Sequence, residues 1–87
     1  ARRAVTVNDK PVALTAHEMA LLEALLRQPG RAFSRAELIN RCWEPGFTGV
    51  DRVVDVHISS LRRKLGRAGK LIVTVRGLGY CLERRSD

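Results

Sequence analysis

The sequence predicts an α+β domain, with short antiparallel strands towards both ends and three helices between them. Three observations lead there. Two Ser/Thr-x-x-Glu capping boxes, Thr15-Ala16-His17-Glu18 and Ser34-Arg35-Ala36-Glu37, each precede apolar residues at helical spacing. A third stretch places Val54, Ile58, Leu61 and Leu65 on one helical stripe. The β-branched run Leu71-Ile72-Val73-Thr74-Val75 follows it and reads as a strand.

Taken in order, Val5-Thr6-Val7 and Pro11-Val12-Ala13-Leu14 flank Asn8-Asp9, which reads as a hairpin turn. So short a hairpin needs support from elsewhere, and one or more partner strands upstream of Ala1 are expected. The first helix starts at its Thr15 cap, carries Met19, Leu22, Leu25 and Leu26 with Leu21 widening the stripe, and stops at Pro29-Gly30. Arg31-Ala32-Phe33 leaves room only for a bridge or a very short strand. The second helix runs from its Ser34 cap through Leu38, Ile39 and Cys42 to Trp43, and Glu44-Pro45-Gly46-Phe47-Thr48-Gly49 is a loop. The third helix should run from near Asp51 to about Leu65, with Gly66 as its stop. At about 100° per residue, its outer face carries Arg52, Val56, Ser59 and Arg63, flanked by Asp55 and Ser60. A turn at Gly77-Leu78-Gly79 lets Tyr80-Cys81-Leu82 pair back on the preceding strand and puts Arg76 at or near a hairpin tip. Arg84-Arg85-Ser86-Asp87 is expected to be a frayed tail.

The 87 residues allow a single small domain, and 45% hydrophobic against 29% charged residues is a globular balance. No apolar run approaches the roughly 20 residues of a membrane span. Ala1-Arg2-Arg3-Ala4 is not followed by the apolar stretch of a secretory signal, so a soluble, cytoplasmic chain is the expectation. The net charge of +7 is unevenly spread. Residues 1–51 hold 7 basic and 6 acidic side chains, whereas 52–87 hold 9 and 3. An excess concentrated in the last two-fifths of a chain suits a polyanion: nucleic acid first, an anionic membrane surface second. The plainer alternative is charge kept for solubility.

Cys42 and Cys81 lack metal-ligand spacing and read as reduced, partly buried thiols. His17 and His57 are lone histidines, read as surface or capping residues. The acidic side chains are scattered, many of them in helix caps, so no catalytic cluster, metal site or cofactor is expected and the chain reads as a non-enzyme.

The order hairpin, helix, helix, loop, helix, basic hairpin describes a winged helix-turn-helix. A helix with one core face and one short-chained polar and basic face fits the DNA major groove, which is roughly 12 Å wide. Ser59 and Ser60 would let the helix axis approach the base edges. Val56 has two readings, an apolar contact for a thymine methyl or a single exposed valine. Arg76 on a thin β-tip suits the narrow, negative minor groove, the alternative being a solvated turn arginine.

The string from Asp51 to Leu65, Asp-Arg-Val-Val-Asp-Val-His-Ile-Ser-Ser-Leu-Arg-Arg-Lys-Leu, resembles the recognition helix of the OmpR/PhoB-type response regulators. Thr74-Val75-Arg76-Gly77-Leu78-Gly79-Tyr80 resembles the family's wing, and Leu14-Thr15-Ala16-His17-Glu18 and Ser34-Arg35-Ala36-Glu37-Leu38 its two earlier helix starts. Four motifs in order cover nearly the whole chain. The resemblance implies a transcription factor's output half, 1–87, without its phospho-accepting receiver domain and with a trimmed N-terminal sheet. It implies binding to direct repeats of double-stranded DNA as a head-to-tail dimer. By position it implies phosphate contacts from Trp43, Arg52, His57, Arg62, Arg63, Thr74 and Tyr80. Base edges would be faced by Val53, Asp55, Val56, Ser59 and Ser60, and the minor groove by Arg76. Asp55 would accept from a cytosine amino group, or would instead hold Arg52 or Ser59 in place. The loop holding Glu44 and Phe47 corresponds to a segment that touches RNA polymerase in some members. Val53 stands where threonine is frequent, and Ser59-Ser60 where a larger or basic residue is common. Those departures bear on the target sequence rather than the fold.

Overall fold

A computed structural model of the chain describes residues 3–7 and 9–83. Strands β1 (Arg3–Val7) and β2 (Lys10–Leu14) form an antiparallel pair in which Val7 faces Lys10 and Val5 faces Val12. Asp9 turns the chain with φ of 67°, a conformation Asp tolerates better than most residues. Asn8, the other half of the expected turn, lies outside the described residues, as does the expected tail at 84–87.

Helix α1 (Ala16–Arg27) and helix α2 (Arg35–Cys42) both start as expected. In each capping box the hydroxyl accepts from the N3 backbone N–H and the Glu carboxylate accepts from the cap N–H. Each cap contributes about 1 kcal/mol by satisfying donors that a helix start otherwise leaves free. Helix α3 (Arg52–Leu65) starts without a side-chain cap and stops at Gly66. Its stability comes from the buried stripe Val54, Ile58, Leu61 and Leu65 rather than from its ends.

The core joins that stripe to Leu14, Leu21, Leu25, Phe33, Leu38 and Ile72. Leu26, expected on the buried stripe of α1, is instead 52% exposed at its edge. No helix among the described residues is long and apolar enough to cross a membrane.

Of the bridge or very short strand expected at Arg31–Phe33, the strand forms, one residue later, and its pairing partner is what the sequence did not foretell. Ala32–Ser34 is a true strand, β3, and pairs antiparallel with β5 (Gly79–Leu82), which also pairs with β4 (Ile72–Val75). The C-terminal hairpin is therefore the outer part of a three-stranded sheet ordered β3-β5-β4 and is anchored to the start of α2. Gly79 makes this possible, because a Cβ there would collide with the Phe33 carbonyl oxygen. A 3-10 turn over Gly66–Leu71 links α3 to β4 and takes in Leu71, expected to open the strand, so that β4 begins at Ile72.

Candidate nucleic-acid interface

Helix α3 presents two chemically opposite faces. Opposite the buried stripe, Arg52, Val56, Ser59 and Arg63 are all exposed, Val56 at 61%. Asp55, Val56, Ser59, Ser60 and Arg63 line one shallow, open concavity along this face. The Arg63 side chain makes no hydrogen bond or ion pair among the described residues, and neither does that of Arg76. Arg76 opens the turn 76–78 between β4 and β5, where Gly77 takes φ of 77° and the arginine is exposed.

Polar contacts bind this helix to the wing. Tyr80 Oη donates to Asp55 Oδ1 at 2.6 Å, and Arg35 Nε donates to the same oxygen at 2.8 Å. Burial pushes the Asp55 carboxyl up, but these hydrogen bonds outweigh it and hold the group below its ordinary range. Burial and the Asp55 contact push the Tyr80 phenol up, so it stays a donor at neutral pH. Arg62 donates through Nε and Nη2 to the Ile72 carbonyl, at 2.9 and 2.6 Å, and through Nη2 to Thr74 Oγ1 at 3.0 Å. Its guanidinium also lies 5.4 Å from the centre of the Tyr80 ring.

A second node holds the other edge of α3. Glu18, only 2% exposed, accepts from Ser60 Oγ at 2.6 Å, from Lys64 Nζ at 2.8 Å and from the Thr15 backbone N–H at 2.9 Å. Burial by itself would raise its pKa; the Lys64, Ser60 and Thr15 donors dominate and lower it to about 2.

A third contact is aromatic. The His17 ring stacks on Trp43 at 4.5 Å, and His57 packs edge-on to Trp43 at 5.4 Å and tilted against His17 at 5.3 Å. Phe47 adds a fourth ring 5.8 Å from Trp43. The two histidines are therefore partly buried members of a ring cluster, not the surface or capping residues expected. Burial, with the neighbouring His17, lowers the His57 pKa, so His57 is neutral at pH 7.

The expected site residues thus divide. Arg52, Val56, Ser59, Arg63, Thr74 and Arg76 stand exposed along helix and wing, and Glu44 is exposed on the loop. Trp43 and Tyr80 are buried, Val53 and Phe47 pack against the core, and His57 lies within the ring cluster. Asp55 through Oδ1, Ser60 through Oγ and Arg62 through Nε and Nη2 hydrogen-bond inside the domain. The hydrogen-bond partners of Asp55 are Arg35 and Tyr80, while Arg52, one of the two expected, acts on it through its charge alone. Sequence reasoning missed Arg35, Glu18 and Lys64 as supports, and the exposed cations Arg67 and Lys70 on the 3-10 turn. Glu18 was visible only as a capping residue.

Cys42 and Cys81 are free and partly buried, and burial pushes the Cys42 thiol up to about 11. Among the described residues no three His, Cys, Asp or Glu side chains gather where they could hold a metal ion.

The family described as "Transcriptional regulatory protein, C terminal" matches residues 9–82. The chain belongs to this family. Its members form the output domains of OmpR/PhoB-type response regulators, and the winged-helix architecture here is theirs. Among curated relatives, this transcriptional regulatory C-terminal domain is 44% identical over 85 residues to "Sensory transduction protein RegX3" of Mycolicibacterium smegmatis, covering 94% of the chain and 37% of the relative. The chain thus spans little more than a third of that relative's length. Among solved structures, it is 33% identical to the response regulator AdeR DNA binding domain, crystallised in complex with an intercistronic region. The TM-score is 0.82, over 94% of this chain and 86% of that one. The Klebsiella pneumoniae RstA DNA-binding domain, in complex with the RstA box, is 34% identical with a TM-score of 0.79, over 93% and 83%.

Proposed function

We propose that this domain binds double-stranded DNA sequence-specifically as the output half of a two-component response regulator that controls transcription. Helix α3 enters the major groove and Arg76 enters the adjoining minor groove. The observation that carries the reading is the outer face of α3, exposed and basic, tied through Asp55–Tyr80 and Arg62–Thr74 to a wing whose tip is a free arginine. Two positive surfaces held at a set separation are what a duplex with alternating grooves can engage. RstA and AdeR domains of the same fold, solved with DNA, support it.

Arg52, Arg63 and Thr74 contact phosphates, which position the domain and dominate affinity. Val56 and Ser59 are the residues free to meet base edges, Val56 against a thymine methyl. Trp43, His57 and Tyr80 act mainly by holding the backbone of α3 and the wing in place. A receiver domain elsewhere in the longer protein controls pairing, and two copies sit head-to-tail on a direct repeat. Glu44 is open to RNA polymerase, whereas Phe47, packed on Trp43, shapes the loop from within.

Fluorescence anisotropy with A/T-rich duplex across a salt series tests the reading. Three to five cationic contacts, among them Arg52, Arg63 and Arg76, predict a log–log salt slope of about −3 to −5. Binding that is absent at low salt, or insensitive to salt, would instead mark helix and wing as a protein-docking face.

A further inference from the structure

Asp55 lies on the outer half of α3, yet one of its two carboxylate oxygens, Oδ1, is already committed. One oxygen takes hydrogen bonds from two other elements, Arg35 Nε at the start of α2 and Tyr80 Oη in β5. Both donors are themselves fixed. The Arg35 backbone N–H donates to the Leu78 carbonyl in the wing turn at 3.3 Å, and Ser34 pairs in register with Gly79. Tyr80 is 5% exposed, pairs with Thr74 across the hairpin and with Phe33 across β3, and has the Arg62 guanidinium beside its ring. Arg76 at the wing tip is only four residues from this anchor, and its side chain makes no hydrogen bond or ion pair among the described residues.

We propose that Arg35, Asp55 and Tyr80 form the spacer of the DNA interface: positioning residues that fix the distance between α3 and the wing tip. They thereby decide how many base pairs separate the major-groove site from the A/T-rich minor-groove site. The inference rests on the DNA-binding reading above. It assigns Asp55 no base. Turning Oδ1 to a cytosine amino group would abandon a charged and a phenolic donor, so these two contacts fix the carboxylate's position and leave only Oδ2 uncommitted. The three residues come from α2, α3 and β5, so one oxygen ties helix, helix and sheet together. A free hairpin would let Arg76 sample neighbouring steps of the minor groove; a tethered one offers it at one step.

The test uses duplexes selected by the wild-type domain, with the A/T-rich segment then moved one base pair nearer to or farther from the major-groove site. Wild-type domain should lose at least about tenfold in affinity on either shift, the cost of one lost groove contact. Tyr80→Phe, which keeps the ring and removes one hydroxyl, and Asp55→Asn should flatten this penalty to about threefold or less. Their discrimination among base pairs under α3 should stay as in the wild type. Arg35→Lys should restore part of the spacing preference that Arg35→Ala loses, and circular dichroism melting confirms that each variant folds. A spacing profile as sharp in Tyr80→Phe and Asp55→Asn as in the wild type overturns the proposal. So does a loss confined to one base pair under α3, which would make Asp55 a base reader. Failure of the wild-type domain to bind any duplex would refute the DNA-binding reading itself, and the spacer with it.

Discussion

Replacing Glu18 by Gln tests how α3 is held to α1. The carboxylate is almost fully enclosed and accepts from Lys64, Ser60 and Thr15, which bring its pKa from an ordinary 4.5 to about 2. At 1.36 kcal/mol per pH unit, that fall corresponds to about 3 kcal/mol of stabilisation. Lys64 is partly open to water, which screens its share, so about 2–3 kcal/mol is expected in practice. Because the folded carboxyl is the more acidic one, the stabilisation is complete above about pH 4.5 and disappears as the pH falls towards 2. Glu18→Gln keeps the size but not the charge, so urea denaturation at pH 7 should find it less stable by about that amount. In a domain of this length the melting temperature should drop by roughly 10–20 °C. The gap between wild type and variant should then close between pH 4.5 and 2.5. Other acidic groups with lowered pKa values, Glu37 and Asp55, contribute equally to both proteins and cancel in the difference. A gap that stays constant across this range would refute the electrostatic account and leave only a shape effect.

Arg63→Ala and Arg76→Ala should each make the salt slope shallower by about 0.9, as one released counterion is lost. Arg76→Ala should cost more on A/T-rich than on G/C-rich duplex, and an equal loss on both would place its side chain outside the minor groove. Gly79→Ala should lower stability by about 1–3 kcal/mol in urea titration, since the new methyl meets the Phe33 carbonyl and strand β3 must part from β5. With its thiol near 11, Cys42 should react with iodoacetamide at pH 8 at least about tenfold more slowly in the folded protein than in denaturant. The His57 ring should titrate below its ordinary value in NMR and move upwards in His17→Gln, where one neighbouring charge is gone but burial remains.

Local chemistry made much of this domain legible in the sequence alone. The Thr15–Glu18 and Ser34–Glu37 boxes close within three residues, so the two helix starts are written in adjacent letters. The faces of α3 follow from the angle between successive side chains, and Arg52, Val56, Ser59 and Arg63 stand outside as that angle requires. Gly77 marked the wing turn because a φ of 77° costs glycine nothing.

Tertiary structure decided which of those outward residues are free. Asp55 and Ser60 have the right position and polarity for a groove, but Asp55 is answered by a tyrosine 25 residues on and Ser60 by a glutamate 42 residues back. Trp43, His17 and His57 are scattered along the chain and become one cluster only when three helices meet. Of the bridge or very short strand legible at Arg31–Phe33, the strand forms because β5 offers it a partner, something a three-residue segment cannot secure alone. Periodicity and capping are set by neighbours within about four residues, so the sequence by itself determined the elements and their faces. Hydrogen bonds between side chains 20 to 46 residues apart depend on how those faces close on one another, so only the packed chain decided which groups are spent on holding the helix and wing and which remain for DNA.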